Sequence, residues 1–203
     1  MAGLMKIGIF GGTFDPPHMG HLILADEAYN QLHLDKLLWV LTPDPPHKQE
    51  QEISPAAQRL ELVQAAILDN PYFELSRVEL DRPGPHYAVD TVKILQQQYP
   101  GAELIYLVGG DSLRDLPGWH EPARLVELVS CFGVMRRMED EIDLGTLERL
   151  IPGIIRKVRF IDSPIVDIAS HDIRERIASG EPYRYLLHPA VFNVICQKKY
   201  YQA

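Results

Sequence analysis

Apolar and polar positions follow two rhythms along this chain. Short apolar runs at Lys6–Phe10, Leu37–Leu41, Leu104–Val108, Cys131–Met135 and Val158–Ile161 predict strands. Lys6–Phe10, Leu37–Leu41 and Leu104–Val108 are continuous, as strands buried on both faces tend to be. Phe73–Leu80 mostly alternates, which predicts a strand with one face wet or near a sheet edge. Between these runs, helical spacing of apolar residues predicts helices over Gly20–Leu32, Pro55–Leu68, Tyr87–Gln98, Pro122–Leu128, Leu144–Leu150, His171–Ser179 and Pro189–Gln197. Strand–helix alternation from end to end predicts a doubly wound α/β fold: a mostly parallel, Rossmann-like sheet in one domain. Such sheets bind ligands at the carboxyl ends of their strands, near the switch in strand order. No repeat or low-complexity linker marks a second domain, and Arg136–Glu148 reads as a charged surface excursion.

Charge narrows the partners. A formal charge of -8 over 203 residues argues against sequence-independent nucleic-acid binding, which needs a positive field. No apolar run is long enough to span a membrane and no targeting segment is evident, so the expected location is the cytoplasm. Cys131 and Cys196 stand far apart in apolar contexts and read as buried thiols.

The chemistry is concentrated in Gly11-Gly12-Thr13-Phe14-Asp15-Pro16-Pro17-His18-Met19-Gly20-His21, between the first strand and the first helix. Glycines at a strand end let backbone approach a ligand where a Cβ would collide. Pro17 suits the first helical position, and His18 and His21 share a face of the opening turn. The helix start adds unpaired N–H groups and partial positive charge, so the segment predicts a phosphate pocket flanked by imidazole donors.

Further segments fall where this fold places loops over that pocket. Pro43-Asp44-Pro45-Pro46-His47-Lys48 presents Lys48 as a point charge for phosphate oxygens. Gly109-Gly110-Asp111-Ser112 puts Asp111 beside the pocket, as a helix N-cap, a ribose ligand or both. Trp119, in Pro117-Gly118-Trp119-His120, is either core or the stacking wall for a planar base. Ser170 is placed to cap the helix it opens, and Arg174 to fork onto phosphate oxygens.

Taken in order, Gly-Gly-Thr-Phe-Asp-Pro-Pro-His-x-Gly-His, Pro-Pro-His-Lys, Gly-x-Asp and Ile-Arg-Glu-Arg resemble the motifs of the bacterial nicotinate-nucleotide adenylyltransferases, of the nucleotidyltransferase superfamily. Pro85-His86-Tyr87-Ala88 is similar to a family segment reading Pro-Ser-Tyr-Thr, and Trp119 to the family tryptophan beside the nicotinate ring. The chain departs at Ile168-Ala169-Ser170-His171, where the family shows Ile-Ser-Ser-Thr or Ile-Ser-Ala-Thr, and at His86 and Ala88. The resemblance implies adenylyl transfer from ATP to nicotinate mononucleotide in NAD biosynthesis, with His18, His21 and Lys48 catalytic. It implies ATP contacts from Gly11, Gly12, Thr13, Phe14, His18, Gly20, His21, Gly109, Asp111, Ser170 and Arg174, and acceptor contacts from Thr13, Lys48, His86, Tyr87 and Trp119. Magnesium would arrive on the ATP phosphates, without a protein carboxylate cage. The helical part at roughly 165–203 would pack on the sheet and complete the ATP site; a homo-oligomer is compatible with all of this. Competing readings are transfer to nicotinamide mononucleotide or pantetheine phosphate, a non-catalytic nucleotide sensor, and a metal hydrolase built on Asp15, His18 and His21.

Overall fold

The computed structural model describes residues 3–45, 53–135 and 142–202. Lys48, with Pro46 and His47, and residues 136–141 of the charged excursion lie outside the described residues.

Strands β1 (Lys6–Gly12), β2 (Lys36–Leu41), β3 (Phe73–Ser76), β4 (Glu103–Gly109), β5 (Cys131–Met135) and β6 (Val158–Ile161) form one sheet in the order β3-β2-β1-β4-β5-β6. Every neighbouring pair is parallel. The continuous apolar runs are explained by period-2 alternation between two covered faces. Leu37, Trp39, Leu41, Ile105 and Leu107 join one core, while Leu38, Val40, Leu104, Tyr106 and Val108 join the other.

Helices α1 (Met19–Gln31) and α2 (Ala56–Ile67) cover the first face through Ala25, Ala28, Leu62 and Val63. Later in the chain α8 (Ser170–Ser179) and α9 (Pro189–Lys198) join them through Ile173, Ile177, Val191 and Ile195. The opposite face is covered by α3 (Ala88–Gln98), α4 (Gly110–Asp115), α5 (Pro122–Leu128), α6 (Leu144–Leu150) and α7 (Ile154–Lys157), with Val92, Leu95, Leu113, Leu125, Leu147 and Ile154 turned inward. Among the described residues, no helix is long and apolar enough to cross a membrane.

The sheet winds outward in both directions from the β1–β4 pair. The loops that leave these two strands therefore diverge and open a crevice at their carboxyl ends.

Some elements differ from the sequence expectation. The strand expected over Phe73–Leu80 ends at Ser76, where Arg77 and Asp81 pair at 2.8 Å across a turn. Helix α7 is an addition to the expected set, and α4 starts at Gly110, ahead of the Asp111 expected to cap it. Of the two cysteines expected to be buried thiols, both are free, but Cys131 is half-buried and Cys196 is exposed. Cys196 lies on the outer side of α9, whose inward positions are Val191 and Ile195.

Candidate active site

Packing beneath the loop that follows β1 sets its shape. Phe14 takes a left-handed backbone conformation, φ 50°, and turns its ring into the core against Phe10 and Trp39, with centroids at 5.5 and 5.0 Å. A Cβ on Gly12 would come within 2.8 Å of that ring, so glycine at this position is a packing requirement. The chain then passes through a cis Asp15–Pro16 bond to His18, which caps α1 in extended conformation.

Pro17 does not occupy the first helical position. That position is Met19, because His18 takes the cap and displaces the proline outward. The His18 backbone N–H donates to His21 Nδ1 at 3.2 Å, and the two imidazole centroids are 3.8 Å apart. The neutral His21 ring therefore carries its proton on Nε2. A Cβ on Gly20 would meet His18 Nδ1 at 3.0 Å, which accounts for the glycine between the histidines.

Three side chains hold the carbonyls of this loop from outside. Arg59, 1% exposed, donates to Thr13 O at 2.9 Å, and also to Thr42 O, Pro43 O and Ser54 O at 2.9, 2.6 and 2.8 Å. It thereby locks the exits of β1 and β2 together. Burial pulls the Arg59 pKa down, and the neighbouring Asp15 charge opposes that. Arg174 Nη1 donates to Asp15 O at 2.7 Å, and Ser170 Oγ to Pro16 O at 2.9 Å. Ser170 is not the cap of α8; Ala169 is, and Ser170 sits one residue inside with its hydroxyl turned back to the loop. The Asp15 carboxylate is buried, accepting from Ser54 N–H at 3.0 Å and from the Tyr201 hydroxyl at 2.9 Å.

The facing wall leaves β4. Gly109, not Asp111, caps α4, and Asp111 folds its carboxylate back over Gly109, where a Cβ would be only 2.5 Å from Oδ1. Asp111 also accepts from Ser112 N–H at 2.8 Å. The Tyr106 hydroxyl lies beneath Gly11, 3.4 Å from where a Cβ would sit, and the Trp119 ring packs edge-on to Tyr106 at 6.2 Å. Trp119 is half-buried, packed against that core. Next to it His120 stacks on Tyr87 at 4.0 Å.

His86 is buried, with Nδ1 lacking a hydrogen-bond partner among the described residues. Burial, then the Arg82 charge, lowers its pKa, while Asp44 opposes them. Arg82 donates to Pro85 O, Tyr87 O and Thr91 Oγ1 at 2.9, 3.4 and 3.1 Å, bringing a positive charge against Pro85-His86-Tyr87-Ala88, a segment without Lys or Arg of its own. Glu79, also buried, accepts from Thr91 at 2.6 Å, and its pKa is raised chiefly by desolvation.

The fold thus brings His18, His21, Ser170 and Arg174 around one loop, and sets Gly109, Asp111 and Trp119 across the crevice from it. His171, the departure in the late motif, is exposed and pairs with its neighbour Asp172 at 2.8 Å. No three His, Cys, Asp or Glu side chains among the described residues are grouped to hold a metal ion, and both Asp15 oxygens have protein donors. Sequence reasoning missed Arg59, Arg82, Glu79, Tyr106 and Tyr201. Only Arg59 left a signal: it falls on the stripe Arg59, Leu62, Val63, Ala66, Ile67, where a charge on a buried helix face demands partners.

With this geometry in view, known proteins bear on the chain directly. The family model for cytidylyltransferase-like proteins matches residues 9–176. A probable nicotinate-nucleotide adenylyltransferase of Thermomicrobium roseum is 42% identical over 199 residues, 98% of this chain and 92% of that protein. A similarly named protein of Bacillus pumilus is 36% identical over 98% of this chain and 100% of its own length. Among solved structures, the Plasmodium falciparum nicotinic acid mononucleotide adenylyltransferase complexed with NaAD superposes with a TM-score of 0.77 at 20% identity, covering 97% of each chain, a likeness of fold.

Proposed function

Since the chain belongs to the cytidylyltransferase-like family and, within it, to the nicotinate-nucleotide adenylyltransferases, we propose that it transfers the adenylyl group of ATP to nicotinate mononucleotide, releasing pyrophosphate, as a cytoplasmic step of NAD biosynthesis. An oxygen of the acceptor's phosphate attacks the α-phosphorus of ATP, and the bond from that phosphorus to the β-phosphate oxygen breaks. The attacking phosphate monoester is already anionic near neutral pH, so no general base is required. What remains is to align two phosphates and offset their mutual repulsion.

The residues around the crevice suit that task. His21 Nε2–H and His18 stand at the start of α1, whose first-turn N–H groups at Met19 and Gly20 lack intrahelical partners. Arg174 and Ser170 approach the same loop from α8 and suit the triphosphate. Asp111 suits ribose hydroxyls, and Tyr87, His86 and Trp119 the acceptor. Lys48 would add a point charge on phosphate oxygens. Magnesium enters with ATP, held by phosphate and water, as its reluctance to dehydrate favours.

The observation that carries this reading is the close His18–His21 pair at the start of α1, its ring centroids 3.8 Å apart, on a loop that Arg174 grips from the other side. Pyrophosphate release should be measured with ATP and, in parallel, nicotinate mononucleotide, nicotinamide mononucleotide and pantetheine phosphate. Turnover fastest with nicotinate mononucleotide is expected. Tight ATP binding without pyrophosphate release from any acceptor would sink the catalytic reading.

A further inference from the structure

We propose that Tyr201 is a positioning residue for the nucleotide site: its hydroxyl holds the Asp15 carboxylate so that Arg174 stays directed at the ATP phosphates instead of collapsing into an ion pair. The proposal rests on the adenylyl-transfer reading above.

Three observations converge on it. The Tyr201 hydroxyl reaches Asp15 Oδ1 at 2.9 Å across 186 residues of sequence, and Ser54 N–H takes Oδ2 at 3.0 Å. With both oxygens engaged, the nearest Arg174 nitrogen stands 3.9 Å from Oδ2, too long for a charge-assisted hydrogen bond, and donates instead to the Asp15 carbonyl at 2.7 Å. Arg174 is thus anchored through one nitrogen, and its side chain remains 33% exposed beside the loop. Among the described residues, its Nε and Nη2 have no hydrogen-bond acceptor, which leaves them for an anion.

The chain also accepts an unfavourable backbone conformation to bring the tyrosine there. Lys199 ends α9 as its left-handed cap, φ 56°, but Tyr201, beyond the helix, is left-handed too, φ 64°, which a bulky L-residue adopts where surrounding contacts impose it. Burial and the Asp15 charge push the hydroxyl's pKa far up, so it remains a donor throughout the working pH range.

Removing the hydroxyl leaves a buried carboxylate oxygen without its donor, and the cationic Arg174 already stands 3.9 Å from the other oxygen. Asp15 then turns toward the guanidinium and draws it off the triphosphate. Four variants test this: Y201F, D15N, the double variant, and Y200F. Tyr200 is a control because its hydroxyl bonds Glu61 at 2.7 Å, away from the loop. For each, melting temperature, ATP affinity by calorimetry, and kcat and KM for both substrates are measured.

Y201F should raise the ATP KM and Kd about tenfold, with kcat and mononucleotide KM within about twofold of the parent. In the D15N background, Y201F should add nothing, since an amide cannot form the ion pair. Y200F should lose some stability and leave the ATP KM at the parental value. Parental ATP affinity in Y201F overturns the proposal, as does an equal loss in the D15N background, which would mark generic loosening. If the parent releases no pyrophosphate, the adenylyl-transfer reading fails by itself, and calorimetric ATP affinities still decide the role of Tyr201.

Discussion

The backbone N–H of His18 donates to the ring of His21, fixing which imidazole nitrogen of His21 presents a proton to the crevice. If that proton meets the charge that develops on the transferring phosphate, its effect falls in turnover more than in binding. His21→Ala should lower kcat about 100-fold while ATP Kd changes by less than about fivefold. Steady-state kinetics with calorimetric ATP titration checks this. Parental turnover would remove His21 from the mechanism, and a loss confined to Kd would make it a binding residue only.

Asp111 separates cap from ligand cleanly. The cap of α4 is Gly109, so Asp111→Ala removes not the cap residue but a carboxylate folded over that glycine and accepting from the Ser112 N–H. Its melting temperature should stay near the parental one while KM for ATP or the mononucleotide rises. Parental KM values with a lowered melting temperature would assign Asp111 to local structure alone.

His86 should leave a mark on the pH dependence of stability. Its pKa is lowered in the folded protein, chiefly by burial, so the unfolded chain binds that proton more readily. The folded state is therefore favoured fully above the unfolded pKa of about 6.5, and loses stability as pH falls from there through the folded pKa. Between about pH 7.5 and 5.5 the parent's melting temperature should fall further than that of His86→Ser. Parallel curves would show that the imidazole behaves as it does in solution.

Arg59 predicts a stability effect that is large for a side chain outside the reaction. Arg59→Met leaves the carbonyls of Thr13, Thr42, Pro43 and Ser54 without the donor that now serves them, a loss of ~3 kcal/mol or more. Urea unfolding should show a lower midpoint at unchanged slope, and KM should rise for both substrates, because the exits of β1 and β2 move apart. A midpoint within experimental error of the parent's would show that water replaces the guanidinium at little cost.

The strands were legible because burial on both faces leaves an unbroken apolar run, as in Leu37–Leu41 and Leu104–Val108. The start of α4 was not, since Asp111 has the character of a cap and nothing local shows that Gly109 takes that place. At the site, His18, His21, Ser170 and Arg174 were legible as residue types suited to phosphate. That Ser170 and Arg174 tie down loop carbonyls was invisible, because a backbone carbonyl has the same identity at every position. Tyr201 was hidden for a related reason: a single hydroxyl meets its partner across 186 residues, and no local pattern encodes it.

The grip on the loop of Thr13–His18 also has an order in time. The loop is among the first parts made as the ribosome extends the chain, and all six strands are complete once Ile161 has emerged. Yet Ser170, Arg174 and Tyr201, which hold Pro16 and Asp15, are still to come. A nascent chain can thus have made every one of these strands while the loop still lacks Ser170, Arg174 and Tyr201 and one face of the sheet still lacks α8 and α9, so the last stretch of synthesis closes the core and fastens the loop together.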